Sequence, residues 1–185
     1  MKTSDYGLEL KFCANDALPV QVTDGSVIEG YASLFGLPDQ GGDIVCKGAY
    51  RRGLERLKAR GGSVKMLWQH DPAQPIGIWD EIYEDARGLY VKGRLLPDVA
   101  RAREAAVLIA AGAIDGLSIG YRTITAEKDA KGQRLLAELE LWEVSLVTFP
   151  MLREARVASK AEPLDGTLRD LAGVLCSATA ELAAR

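Results

Sequence analysis

Apolar and polar residues alternate along Leu8-Glu9-Leu10-Lys11-Phe12 and, less cleanly, along Val27-Ile28-Glu29-Gly30-Tyr31-Ala32, the period-two pattern of half-buried strands. Asn15 to Pro19 connects them, and Leu37-Pro-Asp-Gln-Gly-Gly-Asp43 is dense enough in turn formers to be a loop. The period then lengthens. Tyr50, Leu54 and Leu57 recur at helical spacing among basic residues, which predicts an amphipathic helix from about 48 to 60 closed by Gly61-Gly62. Arg51, Arg52, Arg56, Lys58 and Arg60 on it are read as a solvated helix surface, with an anion-binding face as the alternative.

Val64 to Trp68 reads as a strand running into His70, which leaves that histidine at a strand end beside a loop, with Asp71-Pro72 breaking the strand. Strands around Ile76–Tyr83 and Leu89–Leu95 follow, joined by a hairpin connection through Glu84 to Gly88. Residues 99 to 111 are alanine-rich, with Val99, Ala102, Ala106 and Ile109 on one stripe and Gly112 placed to end a second helix. That helix leads into Gly116-Leu-Ser-Ile-Gly-Tyr121, a strand with one hydroxyl set between two glycines. A polar hairpin tip at 127–132 and a returning strand from about 135 to 148 come next. Past Pro150 the pattern changes again. Residues 161–166 read as a linker, and Leu168, Leu171, Leu175, Ala178 and Leu182 form the stripe of a terminal helix.

Length narrows these elements to one domain, since 185 residues hold one sizeable core and not two comfortable ones. The balance of 23 basic against 26 acidic residues gives no reason to expect nucleic acid as the main partner. No apolar run approaches the roughly 20 residues of a membrane span, and the opening residues lack the apolar core of a signal peptide, so a soluble cytoplasmic protein is expected. Cys13, Cys46 and Cys176 have no C-x-x-C pair among them, and there is a single histidine. Neither a disulfide framework nor a zinc site fits, and no cofactor is called for.

Alternation places Gly116, Ser118, Gly120 and Arg122 on one face of their strand, where the glycines clear a path to an exposed Ser118 hydroxyl. On the later strand it sends Glu143 and Ser145 to one face with Leu141 and Val147, and Trp142, Val144 and Leu146 to the other. A carboxylate among such apolar neighbours needs a donor, and a protonated histidine or an arginine would serve. Serine becomes a useful nucleophile when a base takes its proton, and an acid on the far ring nitrogen of a histidine fixes the required tautomer. Ser118, His70 and Glu143 can fill those roles. The Gly-x-Ser-x-Gly spacing alone is a weak signal and is not a strand-turn-helix nucleophile elbow. Cys46 is a rival nucleophile, more simply a buried structural cysteine, and Asp43, Asp71 and Asp115 are rival orienting acids, with Asp71 placed to point away from its neighbour His70.

Taken in order, several stretches resemble the prohead proteases of tailed bacteriophages and gene transfer agents. They are Gly30-Tyr-Ala-Ser-Leu-Phe-Gly36, Gly42-Asp-Ile-Val45 with Gly48-Ala-Tyr50, Met66-Leu-Trp-Gln-His-Asp71 with Pro75-Ile-Gly77, Gly112 to Tyr121, and Glu143 to Pro150. The resemblance spans roughly residues 28 to 158. It implies an α+β fold similar to herpesvirus assemblin, a mainly antiparallel β-barrel surrounded by a few helices. It also implies a serine endopeptidase with His70, Ser118 and Glu143 as its triad, an acid standing where the assemblins use a second histidine.

By the same resemblance Arg153 is a candidate oxyanion-hole donor, although Met151-Leu-Arg-Glu-Ala155 departs from the asparagine or small residues that many relatives carry there. The implied substrates are the scaffold, or the scaffold-like segment of the major capsid protein, inside an assembling prohead in the bacterial host cytoplasm. Residues 1–160 would form the protease domain. Residues 161–185 would be a linker and helix open to self-cleavage, and a homodimer is compatible with the family. A non-catalytic scaffolding protein of the same fold, or a general esterase, is the alternative.

Overall fold

The computed structural model describes residues 9–12, 20–23, 26–39, 41–149 and 157–158. Arg153 and the segment 161–185 lie outside the described residues. The strands, in chain order, are β1 (Glu9–Phe12), β2 (Val20–Thr23), β3 (Val27–Leu34), β4 (Asp43–Val45), β5 (Lys65–Trp68), β6 (Asp71–Glu84), β7 (Gly88–Leu95), β8 (Gly116–Lys128), β9 (Arg134–Val147) and β10 (Val157–Ala158). Helix α1 (Arg51–Ala59) joins β4 to β5, and α2 (Ala100–Ala110) joins β7 to β8. All ten strands belong to one sheet, ordered β1-β8-β9-β5-β6-β7-β3-β2-β10, with β4 also on β9.

The expected mainly antiparallel barrel is found in part: most strand pairs are antiparallel, but the sheet is curled, open and mixed rather than closed. Its path ends at β1 and β10, although β3 comes back against β8. Both β4 and β5 run parallel to β9, pairing with Arg134–Leu136 at one end of it and with Glu143–Leu146 at the other. The crossover through α1 accounts for β4 and β5 running in the same direction as each other. Alternation in the sequence marks each strand but says nothing of its partner's direction.

Both helices stop as their glycines require. Gly61 (φ 66°) and Gly112 (φ 71°) take the left-handed conformation just past each helix. The bonds Gly62 N–H to Leu57 O and Ala113 N–H to Leu108 O close the two Schellman motifs. Helix α1 rests on β9 through buried Gly53, and α2 buries Ala102, Ala105 and Ile109. The core continues through Met66, Ile76, Trp79, Leu117, Ile119, Tyr121, Leu141, Val144 and Leu146.

Three finer expectations change. Asp71-Pro72 does not end the pairing of β5. Instead β6 begins at Asp71, and Pro72 falls in a bulge between the pairs Trp68↔Asp71 and Leu67↔Pro75. Strand β8 also runs on to Lys128, so the polar tip is confined to 129–133. Short β4 continues directly from a segment read as loop, where Pro38 and Ile44 form an isolated bridge.

Candidate active site

The site forms where β9 lies between β8 and β5. In the β8–β9 ladder Leu117 faces Leu146, Ile119 faces Val144 and Tyr121 faces Leu141, and all six belong to the core. The opposite face of the same ladder pairs Ser118 with Ser145 and Gly120 with Glu143. Trp142 is the residue that makes both faces consistent. It has no partner in the register, because pairing steps from Gly120↔Glu143 to Tyr121↔Leu141. Such a bulge resets the alternation. Leu141 therefore lies on the core face, opposite Glu143, and not beside it as unbroken alternation implies.

His70 reaches this polar face from a two-residue turn. Trp68 pairs with Asp71, and between them Gln69 (φ 52°) and His70 (φ 60°) are both left-handed. They are the only non-glycine residues with positive φ among those described. A hairpin turn of this shape favours Asn-Gly, and each L-residue with a large side chain held there costs about 1–2 kcal/mol. Local strain of this kind persists where surrounding contacts enforce it. Here Gln69 N–H donates to Leu146 O at 2.9 Å. The Gln69 amide also donates through Nε2 to Thr148 Oγ1 at 2.7 Å.

The imidazole of His70 meets the Glu143 carboxylate, Nδ1 to Oε1, at 2.5 Å. Both groups are withdrawn from water, with side chains 9% and 5% exposed. The second carboxylate oxygen, Oε2, accepts from Ser145 Oγ at 2.5 Å. Ser145 Oγ in turn accepts the His70 backbone N–H at 3.2 Å. A carboxylate is an acceptor only, so the His70 nitrogen that meets it, Nδ1, carries a hydrogen. Gly120 is what makes room: a Cβ built there would fall on the Glu143 carboxylate.

Ser118 is fully buried, contrary to the exposed hydroxyl expected from its two glycine neighbours. Flanking glycines open space on a strand face but do not determine what packs over it. Its side chain shares the face of Ser145 and Glu143, and directly opposed Cβ atoms lie about 4.5–5.5 Å apart across a ladder. The hydroxyl is thus carried on the strand adjoining the residues that hold His70.

Three of the rival groups, Cys46, Asp43 and Asp71, fall elsewhere or are engaged. Cys46 N–H bonds Leu136 O, seven residues from Glu143, or about 23 Å along a strand. Asp43 pairs with Arg134 at 3.0 Å at that same far end of β9. Asp71 accepts from Ala73 N–H at 2.9 Å and from Gln74 Nε2 at 3.0 Å. Of the basic residues on α1, Arg52 and Arg56 both engage Glu138. Ser145 was noted in the sequence only for its strand face. The signal that would have singled it out is its spacing, two residues after an acid on the same side of one strand.

A groove of about 770 Å³ between α1 and β6, lined by Leu54, Lys58, Val64, Trp79 and Ile82, contains none of these groups. No cluster of acidic, histidine or cysteine residues suited to a metal ion occurs among the described residues. No helix among them is long and apolar enough to cross a membrane.

Comparison with known proteins gives consistent matches. The family model described as caudovirus prohead serine protease matches residues 14–170. The prohead protease of Enterobacteria phage HK97 is 32% identical over 150 residues, which covers 78% of this chain and 65% of that protein. The match thus spans a little under two thirds of that relative's length. Among solved structures, the bacteriophage T4 capsid assembly protease superposes with a TM-score of 0.60 at 17% identity, covering 77% of this chain and 98% of that one. The varicella-zoster virus protease gives a TM-score of 0.38 at 14% identity over 69% of this chain and 60% of that one.

Proposed function

The chain belongs to the caudovirus prohead serine proteases, and from that premise we propose that it is a serine endopeptidase that matures a phage or phage-like prohead. Its substrates are the scaffold, or the scaffold-like segment of the major capsid protein, and the enzyme itself. The relatives' names, prohead protease and capsid assembly protease, support this choice of substrate.

The observation that carries the reading is the Glu143 carboxylate on His70 Nδ1, two residues along β9 from the position that faces Ser118. In the proposed reaction Ser118 Oγ attacks the scissile carbonyl while His70 Nε2 takes its proton. Glu143 stabilises the imidazolium, which then protonates the leaving amine. Water, deprotonated by His70, releases the acyl group from Ser118. Ser145 is no competitor for the nucleophile's role, because its single hydroxyl proton is directed at Glu143. Arg153, just after β9, is the proposed donor to the oxyanion.

Ser118 is fully buried in this structure, so the proposed reaction requires its hydroxyl to be uncovered before substrate can reach it. Residues 1–160 are the proposed catalytic domain, 161–185 the removable tail, and a homodimer the proposed assembly. The site of action is the interior of the prohead in the bacterial host cytoplasm.

The test is mass spectrometry of the purified chain over time, with and without a serine-directed fluorophosphonate. Wild type is expected to lose a terminal segment and to gain one phosphonyl group on Ser118. Ser118→Ala is expected to do neither. A wild-type chain that neither shortens nor labels would overturn the enzymatic reading in favour of a non-catalytic scaffolding role.

A further inference from the structure

The turn that presents His70 is held by more than the carboxylate on its ring. Ser145 Oγ is bonded at once to Glu143 Oε2, at 2.5 Å, and to the His70 backbone N–H, at 3.2 Å. Its donor and one of its acceptor sites are therefore spent on the two residues whose relative placement the chemistry needs. It lies at 0% exposure, so bulk water does not compete for either bond. On the other side of the same turn, Gln69 Nε2 bonds Thr148 Oγ1, and Thr148 N–H approaches Gln69 Oε1 at 3.4 Å. Both anchors come from β9 or the residues just beyond it, the strand that also carries Glu143. The two left-handed residues are thus fastened, one each, to a single strand.

We propose that Ser145 is a positioning residue for the His70–Glu143 pair, and that Gln69 with Thr148 is its counterpart on the turn. Without Ser145, Glu143 keeps its carboxylate but loses the bond that sets its rotation. His70 likewise loses the bond that keeps its strained backbone aimed at β9. The inference rests on the triad reading for its catalytic consequence but not for its geometry.

The chain contains one histidine, so its imidazole signals are unambiguous. Full-length protein labelled with ¹⁵N-histidine, as wild type, Ser145→Ala and Gln69→Ala, would be compared by imidazole NMR and by the kinetics of inactivation with a fluorophosphonate. In wild type the Nδ1–H proton should appear as a sharp downfield resonance. Ser145→Ala should broaden or shift it and lower the maximal inactivation rate at least tenfold, with the half-saturating phosphonate concentration unchanged within twofold. Gln69→Ala, at the rim of the site, should give the same signature with a smaller loss, and it decides the matter alone if Ser145→Ala does not fold. An unmoved resonance and unaltered rate in both variants would overturn the proposal. An inert wild type would instead strike the hydrolase reading, while the resonance would still report on the turn.

Discussion

Gly120 stands directly across the β8–β9 ladder from Glu143, and the side chain it lacks is the space in which the Glu143 carboxylate reaches His70. The glycine of Ser118-Ile-Gly120 therefore serves the acid rather than a passing substrate backbone. A methyl group there would have to push the carboxylate aside, and Glu143 is buried and bonded at both oxygens, so moving it costs those bonds. Gly120→Ala should lower the turnover number by about 10²-fold, the scale of a displacement of about 1 Å in a catalytic constellation. It should also cost about 1–3 kcal/mol of stability for overpacking. Turnover and urea denaturation measured on the same sample check both. Undiminished turnover would mean that Glu143 works from another position.

Glu143→Gln separates charge from shape. The amide fits the same space and can still meet Ser145 and His70, but it offers no charge to an imidazolium and can force the wrong ring tautomer. Turnover should fall about 10⁴-fold, the loss seen when the acid of a serine triad is made neutral. Substrate affinity should be nearly unchanged. A loss under tenfold, measured by cleavage of purified capsid protein, would assign the orienting role to another acid.

Part of the candidate site was legible because its parts are local. Ser118 and Glu143 lie on segments whose pattern marks strands, and a lone histidine leaves His70 as the candidate base. What the residues could not disclose was relational. The bulge at Trp142 moves Leu141 to the core face, and it depends on a register between β8 and β9 that neither strand encodes by itself. The double left-handed turn at Gln69-His70 carries none of the usual Asn-Gly signal, since its shape is imposed from β9. The parallel placement of β4 and β5 likewise follows from the crossover through α1, not from any residue in the strands.

Asp85 supplies a prediction in pH. It caps the β6–β7 connection, accepting from Arg87 N–H at 2.7 Å and Gly88 N–H at 3.0 Å, and it also accepts the Tyr31 hydroxyl from β3. Burial works against its charged form, but the Tyr31 hydrogen bond and the two backbone bonds together hold its carboxyl below the ordinary value of 3.8. A group whose value is depressed on folding adds stability that is present above its unfolded value and is lost as pH falls through its folded one. The stability gap between wild type and Asp85→Asn should therefore be full at pH 6 and should narrow below about pH 4. Thermal unfolding of both proteins from pH 3 to pH 7 tests this. A gap that widens toward acid would reverse the sign.

Gly53 tests the packing that supports the site from behind. In an exposed helix, alanine in place of glycine gains about 1 kcal/mol. Gly53, however, is buried in α1 where the helix rests on β9, and a Cβ there would overlap the Leu139 carbonyl oxygen, with Glu140 Cα only 3.5 Å away. Those neighbours are backbone, so the helix itself must lift. Lifting it would disturb the contacts that Leu54, Leu57 and buried Tyr50 make with the core. Overpacking by one methyl group typically costs about 1–3 kcal/mol, which outweighs the helical gain. Gly53→Ala should thus be net destabilising by about 1–2 kcal/mol in urea titration. Since β9 carries Glu143 and Ser145 further along, the His70 imidazole resonance should shift slightly in the same variant. A stability gain of the size expected for an exposed helix would show that α1 does not bear on β9 as closely as its contact with Leu139 requires.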